Sequence, residues 1–212
     1  FIARYRKEMT GALNDETLRN LHERLLYLRN LEEKKEQVIN AITDQGKMTE
    51  DLKKKILSAE TLVAVDDLYR PYRPKKQTRA TKAKEKGLEP LANILLLQKT
   101  TKSMEEEAAA FVNAEKGVAN AKEAIAGAKD IIAEMIADMA DYRKSIRNCT
   151  MKQGSLVVKA KDEKAESVYE MYYDFREPLS KVTGYRVLAI NRGEKEKFLT
   201  VKVEAPDVQI VN

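Results

Sequence analysis

The residue types that most often carry catalysis are scarce in this chain. It has one histidine, His22, and one cysteine, Cys149, and the two lie far apart in the sequence. Metal sites need several such ligands at fixed spacings, and Arg19 stands where a Glu-x-x-His motif would place its glutamate. We therefore interpret His22 as a helix-surface residue and Cys149 as a buried or half-buried thiol. The sequence predicts no catalytic residue, no metal site, no cofactor and no enzymatic activity.

Acidic residues form two further groups that could do chemistry. Asp66 and Asp67 are adjacent, and neighbouring helix residues point about 100° apart, so their carboxylates do not converge on one atom. We interpret this pair as capping or solvated residues. The second group shares one helix face at spacings of four and three, which we interpret as a solvated acidic face; it comprises Glu134, Asp138 and Asp141.

A dense basic segment at residues 70–86 has the clearest functional pattern. It holds eight basic residues and one acid, Glu85, so its net charge of +7 exceeds the +5 of the whole chain. Clustered Lys and Arg neutralise phosphates, and tyrosines between them can stack on unpaired bases. The segment predicts contact with a polyanion, and its candidate nucleic-acid-binding residues are Arg70, Arg73, Lys75, Lys76, Arg79 and Lys82.

Plainer interpretations of the basic segment stay open beside this one. Basic helices are often simply solvated, and Tyr69 and Tyr72 are expected to pack against helices rather than to stack on bases. Arg70 and Arg73 each precede a proline, which favours polyproline geometry with three residues per turn. This geometry predicts the two tyrosines on one edge and the two arginines on another, with the basic side chains projecting into solvent.

Helices are predicted to position these residues, in an elongated multi-helix scaffold with small cores. The chain has only eight glycines and five prolines and no tryptophan, a composition typical of long helices. No apolar run reaches the ~18 residues needed to cross a bilayer, and the single cysteine fits a reducing, cytoplasmic compartment. Helix caps are predicted at Asn14 or Asp15, Thr49, Thr78 and Ser103.

A long central helix is predicted from Ala119 to Asn148. Apolar residues recur along it at alternating spacings of four and three, which is a heptad pattern. We expect this helix to be unbroken over about 30 residues, or about 45 Å, and to be an internal spine rather than an oligomerisation seam. Its buried face is expected to contain Ile125, Ile132, Met139 and Ile146.

The pattern changes to a small α/β module at residues 154–212, after a helical scaffold at residues 1–153. Strands are predicted at Leu156–Ala160 and Phe198–Val203, and helices at Glu163–Asp174 and Thr183–Arg192. The order strand, helix, turn, helix, strand is typical of a helix-turn-helix module. Two further candidate phosphate contacts lie in it, Arg186 and Arg192.

Five stretches distributed along nearly the whole chain carry a family resemblance, and they are Phe1–Glu8, Asp67–Tyr72, Lys86–Ala92, Gly127–Glu134 and Arg186–Glu196. Together, and in this order, they resemble the N-terminal helical region of the bacterial Tex family of transcription accessory proteins. The resemblance implies a multi-domain nucleic-acid-binding protein whose RNase-H-like domain, helix-hairpin-helix elements and OB-fold RNA binder lie outside this chain. The chain departs from the family at Tyr185, where the family usually has His, so no role is carried over to that residue.

We therefore expect a non-catalytic N-terminal scaffold of a cytoplasmic transcription accessory protein. Its expected partners are RNA and/or DNA, bound largely without regard to sequence, and components of the transcription machinery. The alternative is a protein-protein interaction scaffold whose basic segment meets acidic partners in that machinery. Because the chain begins with Phe rather than Met, we expect it to be a fragment of a longer polypeptide.

Overall fold

The computed structural model of the 212-residue chain describes residues 1–74 and 76–211. The fold is mostly helical with a small three-stranded sheet near the C-terminus, which confirms the predicted fold class. Two compact units are present, Phe1–Ala140 and Asp141–Asn212. The predicted boundary at residues 153 and 154 lies within the second unit, and the division into separate folding domains stays a prediction.

Helices make up the first unit, with a 3-10 turn at Arg70–Tyr72. The side chains of Asn14, Thr49, Thr78 and Ser103 accept hydrogen bonds from first-turn amides, which confirms the predicted caps. In chain order the helices are α1 (Ile2–Tyr5), α2 (Lys7–Thr10), α3 (Asp15–Asp44), α4 (Glu50–Leu57), α5 (Leu62–Tyr69), α6 (Arg79–Glu85), α7 (Glu89–Leu97), α8 (Met104–Ala109) and α9 (Ala121–Asp138).

Two hydrophobic cores stabilise the first unit. The first lies between α3, α4 and α5, and Tyr69 and Tyr72 pack against it, which confirms the predicted packing of both rings. The second lies between α9 and the three helices before it. Small residues of α9 allow close approach there, since a Cβ atom added to Gly127 would lie 2.4 Å from Cδ1 of the buried Leu88.

The predicted unbroken helix at Ala119–Asn148 is wrong, because it divides at Met139. The α9 helix ends at Asp138, Met139 adopts an extended ψ of 116°, and α10 begins at Ala140 and runs to Gln153. Ile125 is buried and Ile132 half-buried, but Met139 and Ile146 are exposed. The apolar residues Met139 and Ile146 are therefore not part of a core, and α9 ends at Asp138, whose side chain pairs with Arg70.

The predicted polyproline geometry of the Arg-Pro repeat is also wrong. Residues Arg70–Tyr72 form a 3-10 turn that continues α5, and the amide of Arg73 donates a hydrogen bond to the Tyr69 carbonyl at 3.1 Å. In this turn the half-buried rings of Tyr69 and Tyr72 both pack against the first core, so the observed packing accompanies a 3-10 turn rather than the geometry that the prolines favour locally.

The second unit is a small antiparallel sheet covered by one helix. Its elements after α10 are β1 (Ser155–Ala160), β2 (Asp174–Pro178), α11 (Gly184–Lys195), β3 (Leu199–Glu204) and α12 (Asp207–Val211), with short 3-10 turns at Glu170–Tyr172 and Leu179–Lys181. The strand order is β2-β1-β3, and Val157 of β1 stands opposite Arg176 and Lys202. The predicted strands β1 and β3 and the helix α11 are confirmed.

The predicted helix at Glu163–Asp174 is wrong, and with it the helix-turn-helix pair. Those residues form turns and the 3-10 turn before β2 starts at Asp174. Tyr169 and Tyr172 are buried together with β-sheet residues, and Phe175 and Glu177 alternate with exposed neighbours along β2. This period of two is that of a β-strand, and β2 extends the sheet at its edge where a second helix was expected.

Across residues 1–74 and 76–211, none of the helices combines the length and apolar character that a membrane crossing requires.

Candidate nucleic-acid interface

The basic segment, residues 70–86, begins in the 3-10 turn and ends in α6. Thr78 starts α6 as its N-cap, accepting a hydrogen bond from the Thr81 amide at 3.0 Å. The Thr78 hydroxyl also donates to Oε2 of Glu134 in α9 at 2.9 Å. One side chain therefore both begins the helix and fastens the segment to α9.

Arg70 anchors the start of the segment through an ion pair, although its side chain is 47% exposed. Its Nε donates to Oδ1 of Asp138 at 2.9 Å, and the Asp138 side chain is only 12% exposed. A carboxylate removed from water to this extent needs a charged partner. Arg70 is therefore half exposed, as predicted for the segment, but it is also the partner of a largely buried acid.

Arg73 is held in a similar way at the surface of the first core. Its Nη2 lies 3.1 Å from Oδ1 of Asp66, and its guanidinium lies over the Tyr69 ring at 5.6 Å. Lys34 approaches the same Asp66 oxygen at 3.7 Å. Asp66 thus pairs with two cations, whereas the sequence pattern indicated a capping or solvated residue.

Three further cations of the segment, Lys76, Arg79 and Lys82, face solvent. Lys84 pairs with Glu89 at 3.3 Å, and Lys86 donates to the Gly117 carbonyl at 2.7 Å. Arg79 is 87% exposed, and its Nε is 3.8 Å from Asp130, a distance at which solvent screens the pair. Lys76 and Lys82 are exposed, and within the described part of the chain no carboxylate pairs with either. Lys75, also predicted to contact nucleic acid, lies outside the described residues.

A groove of about 600 Å³ runs between residues 70–80 and α9. Cations line one wall, and the opposite wall carries three acids at spacings of four, namely Asp130, Glu134 and Asp138. The prediction that Glu134, Asp138 and Asp141 form a solvated face is therefore wrong for two of them. Glu134 accepts a hydrogen bond from Thr78, and Asp138 pairs with Arg70, both in the basic segment. Asp130 was missed, although its position one turn before Glu134 is visible in the sequence.

Arg186 in the second unit is tied to the sheet. It forms an ion pair with Glu177 of β2, and its guanidinium lies 5.8 Å from the centre of the Phe175 ring and 5.7 Å from that of Tyr185. The hydrogen bond to Glu177 raises the pKa of Arg186 above its ordinary value. A phosphate would have to compete with this pair, whereas Arg192 is exposed on α11.

The seven predicted binding residues that the structure describes form two groups in different units. Arg70, Arg73, Lys76, Arg79 and Lys82 lie along one segment of the first unit, and Arg186 and Arg192 lie on one helix of the second. Their contact with nucleic acid stays a prediction. Sequence reasoning did not predict the acids that pair with Arg70, Arg73 and Arg186, which lie 68, 7 and 9 positions away in the chain.

Fold and charge together define a helical scaffold protein that presents a basic segment and carries a small α/β unit. Comparison with known families agrees with this class. Residues 99–211 match the Tex central region-like family, and residues 1–43 match the Tex-like protein N-terminal domain family. The chain belongs to the Tex family, as its sequence motifs indicated.

Several relatives match almost the whole chain. The uncharacterized protein YdcI of Bacillus subtilis is 47% identical over 97% of this chain and 29% of its own length. The transcriptional accessory protein Tex of Neisseria gonorrhoeae is 40% identical over 96% and 27%. The human S1 RNA-binding domain-containing protein 1 is 34% identical over 98% and 21%. The chain therefore spans less than a third of the length of these relatives.

Proposed function

We propose that this chain is the non-catalytic N-terminal scaffold of a nucleic-acid-binding transcription accessory protein of the cytoplasm. The names of two relatives support this role, since one is a transcriptional accessory protein and another an S1 RNA-binding domain-containing protein. The observation that carries the proposal is the difference between anchored and exposed cations in the basic segment. Arg70 and Arg73 bind carboxylates, whereas Lys76, Arg79 and Lys82 face solvent.

This arrangement suits a phosphate backbone. Arg79 and Lys82 lie three residues apart, on one side of α6, and Lys76 lies just before that helix. Anchoring at Arg70 and Thr78 holds the segment against α9, so less conformational freedom is lost when a ligand binds. Phosphate contacts carry no sequence information, and the proposed binding is therefore largely independent of sequence, with RNA or DNA as the partner.

The proposal includes no chemical step. His22 is exposed on α3, and Cys149 is half-buried in α10. Within the described residues there is no group of three or more His, Cys, Asp and Glu side chains placed to hold a metal ion. Hydrolase activity of the purified chain above background would contradict this part of the proposal.

Anisotropy of labelled mixed-sequence RNA and duplex DNA tests the proposal on the whole chain. The triple variant K76Q/R79Q/K82Q removes the exposed cations, and K47Q/K53Q/K54Q removes three exposed lysines of another surface as the matched control. We expect the first variant to weaken binding to unrelated sequences alike. Its slope of log affinity against log salt should be shallower by about 2 for single strands, since each phosphate contact contributes about 0.7.

Two outcomes of this experiment would overturn the proposal. Equal affinities of wild type and the K76Q/R79Q/K82Q variant would leave the basic segment as a solvated surface. The alternative function, a scaffold for acidic proteins, is tested by competition with polyglutamate. Polyglutamate that displaces RNA at an equal or lower concentration of negative charge would favour that alternative.

A further inference from the structure

The outward face of α11 has a composition unlike that of an ordinary solvated helix. Tyr185 is 65% exposed and Leu188 is 72% exposed, and Arg192 is exposed one turn further on. Residues three and four apart share a helix face, so these three side chains form one row on α11. The row joins an aromatic ring, an aliphatic side chain and a cation, and none of them belongs to the core cluster of this unit.

The Tyr185 ring is held in place from beneath. The guanidinium of Arg186 lies 5.7 Å from its centre, and Arg186 is itself fixed by its ion pair with Glu177 and its contact with Phe175. A ring that is fixed before binding loses little conformational freedom when another ring stacks on it. Arg186 therefore acts as a positioning residue for an exposed aromatic surface, and its own side chain is 33% exposed.

We propose that Tyr185, Leu188 and Arg192 form a binding site for single-stranded nucleic acid. An unpaired base stacks on Tyr185 and a neighbouring phosphate pairs with Arg192, whose Cα is about 10 Å along the helix axis. Single strands are bound through this combination of aromatic stacking and cationic contacts. Charge favours a polyanion there, because α11 carries Arg192 and Lys195 beside one acid, Glu194, in addition to Arg186, which Glu177 neutralises.

The inference rests on the proposed function but predicts a different specificity. The exposed lysines of the basic segment can contact phosphates of duplexes and single strands alike. Stacking on Tyr185 requires an unpaired base, because bases in a duplex already stack on their neighbours. The two sites are therefore separable by the ratio of affinities for a single strand and for the same strand in a duplex.

The test measures anisotropy of the 212-residue chain with a labelled unstructured RNA 12-mer, alone and annealed to its complement. We expect Y185A to weaken single-strand binding about 5- to 100-fold, the range for loss of one stacked base, and to leave duplex binding within twofold. Y185F keeps the ring and should bind like wild type. M171A removes another exposed apolar side chain of this unit and should change neither affinity.

A second readout reports stacking itself. With 2-aminopurine in the RNA, binding to wild type and Y185F should quench its fluorescence, whereas Y185L should leave it unquenched although it keeps an apolar side chain. Equal single-strand affinity of Y185A and wild type would overturn the inference, as would equal weakening for duplex and single strand. If K76Q/R79Q/K82Q leaves binding unchanged while Y185A weakens it, the proposed role of the basic segment fails and the site on α11 stands.

Discussion

The Nε atom of Arg70 lies 2.9 Å from Oδ1 of Asp138, and this ion pair joins two residues that are 68 positions apart in the chain. It fastens the beginning of the basic segment to the last residue of α9. The helix ends there, because Met139 already has an extended backbone. A second bond, from Thr78 to Glu134, holds the same segment against α9. Arg70 is thus a cation that anchors the segment, whereas other cations of the segment face solvent.

Loss of the Asp138 charge should destabilise the first unit. We expect D138N to lower the free energy of unfolding by about 1–2 kcal/mol, because a charged hydrogen bond is replaced by a weaker one while Arg70, half exposed, regains water. Urea denaturation followed by circular dichroism measures this change. D15N at the exposed pair with Arg19 is the control and should have little effect. Wild-type stability of D138N would contradict the anchoring role.

Gly127 should not tolerate a methyl group, although alanine is the better helix former. A Cβ atom there would lie 2.4 Å from Cδ1 of Leu88 and 3.3 Å from Cβ of Ala83, and both neighbours are buried. We expect G127A to lower the unfolding free energy by about 1–3 kcal/mol through overpacking. The double variant G127A/L88V should recover part of the loss. A stabilised G127A variant would show that helix propensity outweighs packing at this position.

Tyr169 should ionise late in the folded protein. Burial of the phenol, which is 5% exposed, raises its pKa above the ordinary 10.0, and a hydrogen bond with Glu196 acts in the same direction. Because the pKa is higher in the folded state, the stability linked to this group is fully present below about pH 10. It is lost as the pH rises through the higher folded value.

Absorbance at 295 nm against pH, compared between wild type and Y169F, isolates this phenol. The absorbance increase that Y169F lacks should appear at a higher pH than ionisation of an exposed tyrosine. The E196Q variant should reduce the rise in the pKa of Tyr169 without abolishing it, since burial is the larger cause. Ionisation of Tyr169 together with exposed tyrosines would contradict its buried placement.

Sequence patterns predicted those features that depend on neighbouring residues. The capping box of Ser103 and Glu106 formed as expected, because both of its hydrogen bonds join residues three apart. The family was recognised from motifs in the right order. Contacts such as that of Arg70 with Asp138 were not predicted, because their geometry depends on how helices pack rather than on spacing within one helix.

The two wrong helix predictions have different causes. The heptad pattern past Met139 counts apolar residues, but the structure leaves Met139 and Ile146 exposed, so the pattern does not mark a core, although residues 140–153 are still helical. Residues 163–174 have apolar positions at helical spacing, yet they form turns that bury Tyr169 and Tyr172 against the sheet. In this second segment, tertiary packing outweighs local preference.

Lysine acetylation footprinting by mass spectrometry tests the central claim most directly, because it reports which side chains a ligand covers. The whole chain is treated with limiting acetylating reagent, with and without saturating mixed-sequence RNA. We predict that RNA slows modification of Lys76 and Lys82 severalfold and leaves Lys53 and Lys54, which are exposed on α4, unchanged. Equal modification of all four lysines with RNA bound would contradict the claim that the basic segment contacts nucleic acid.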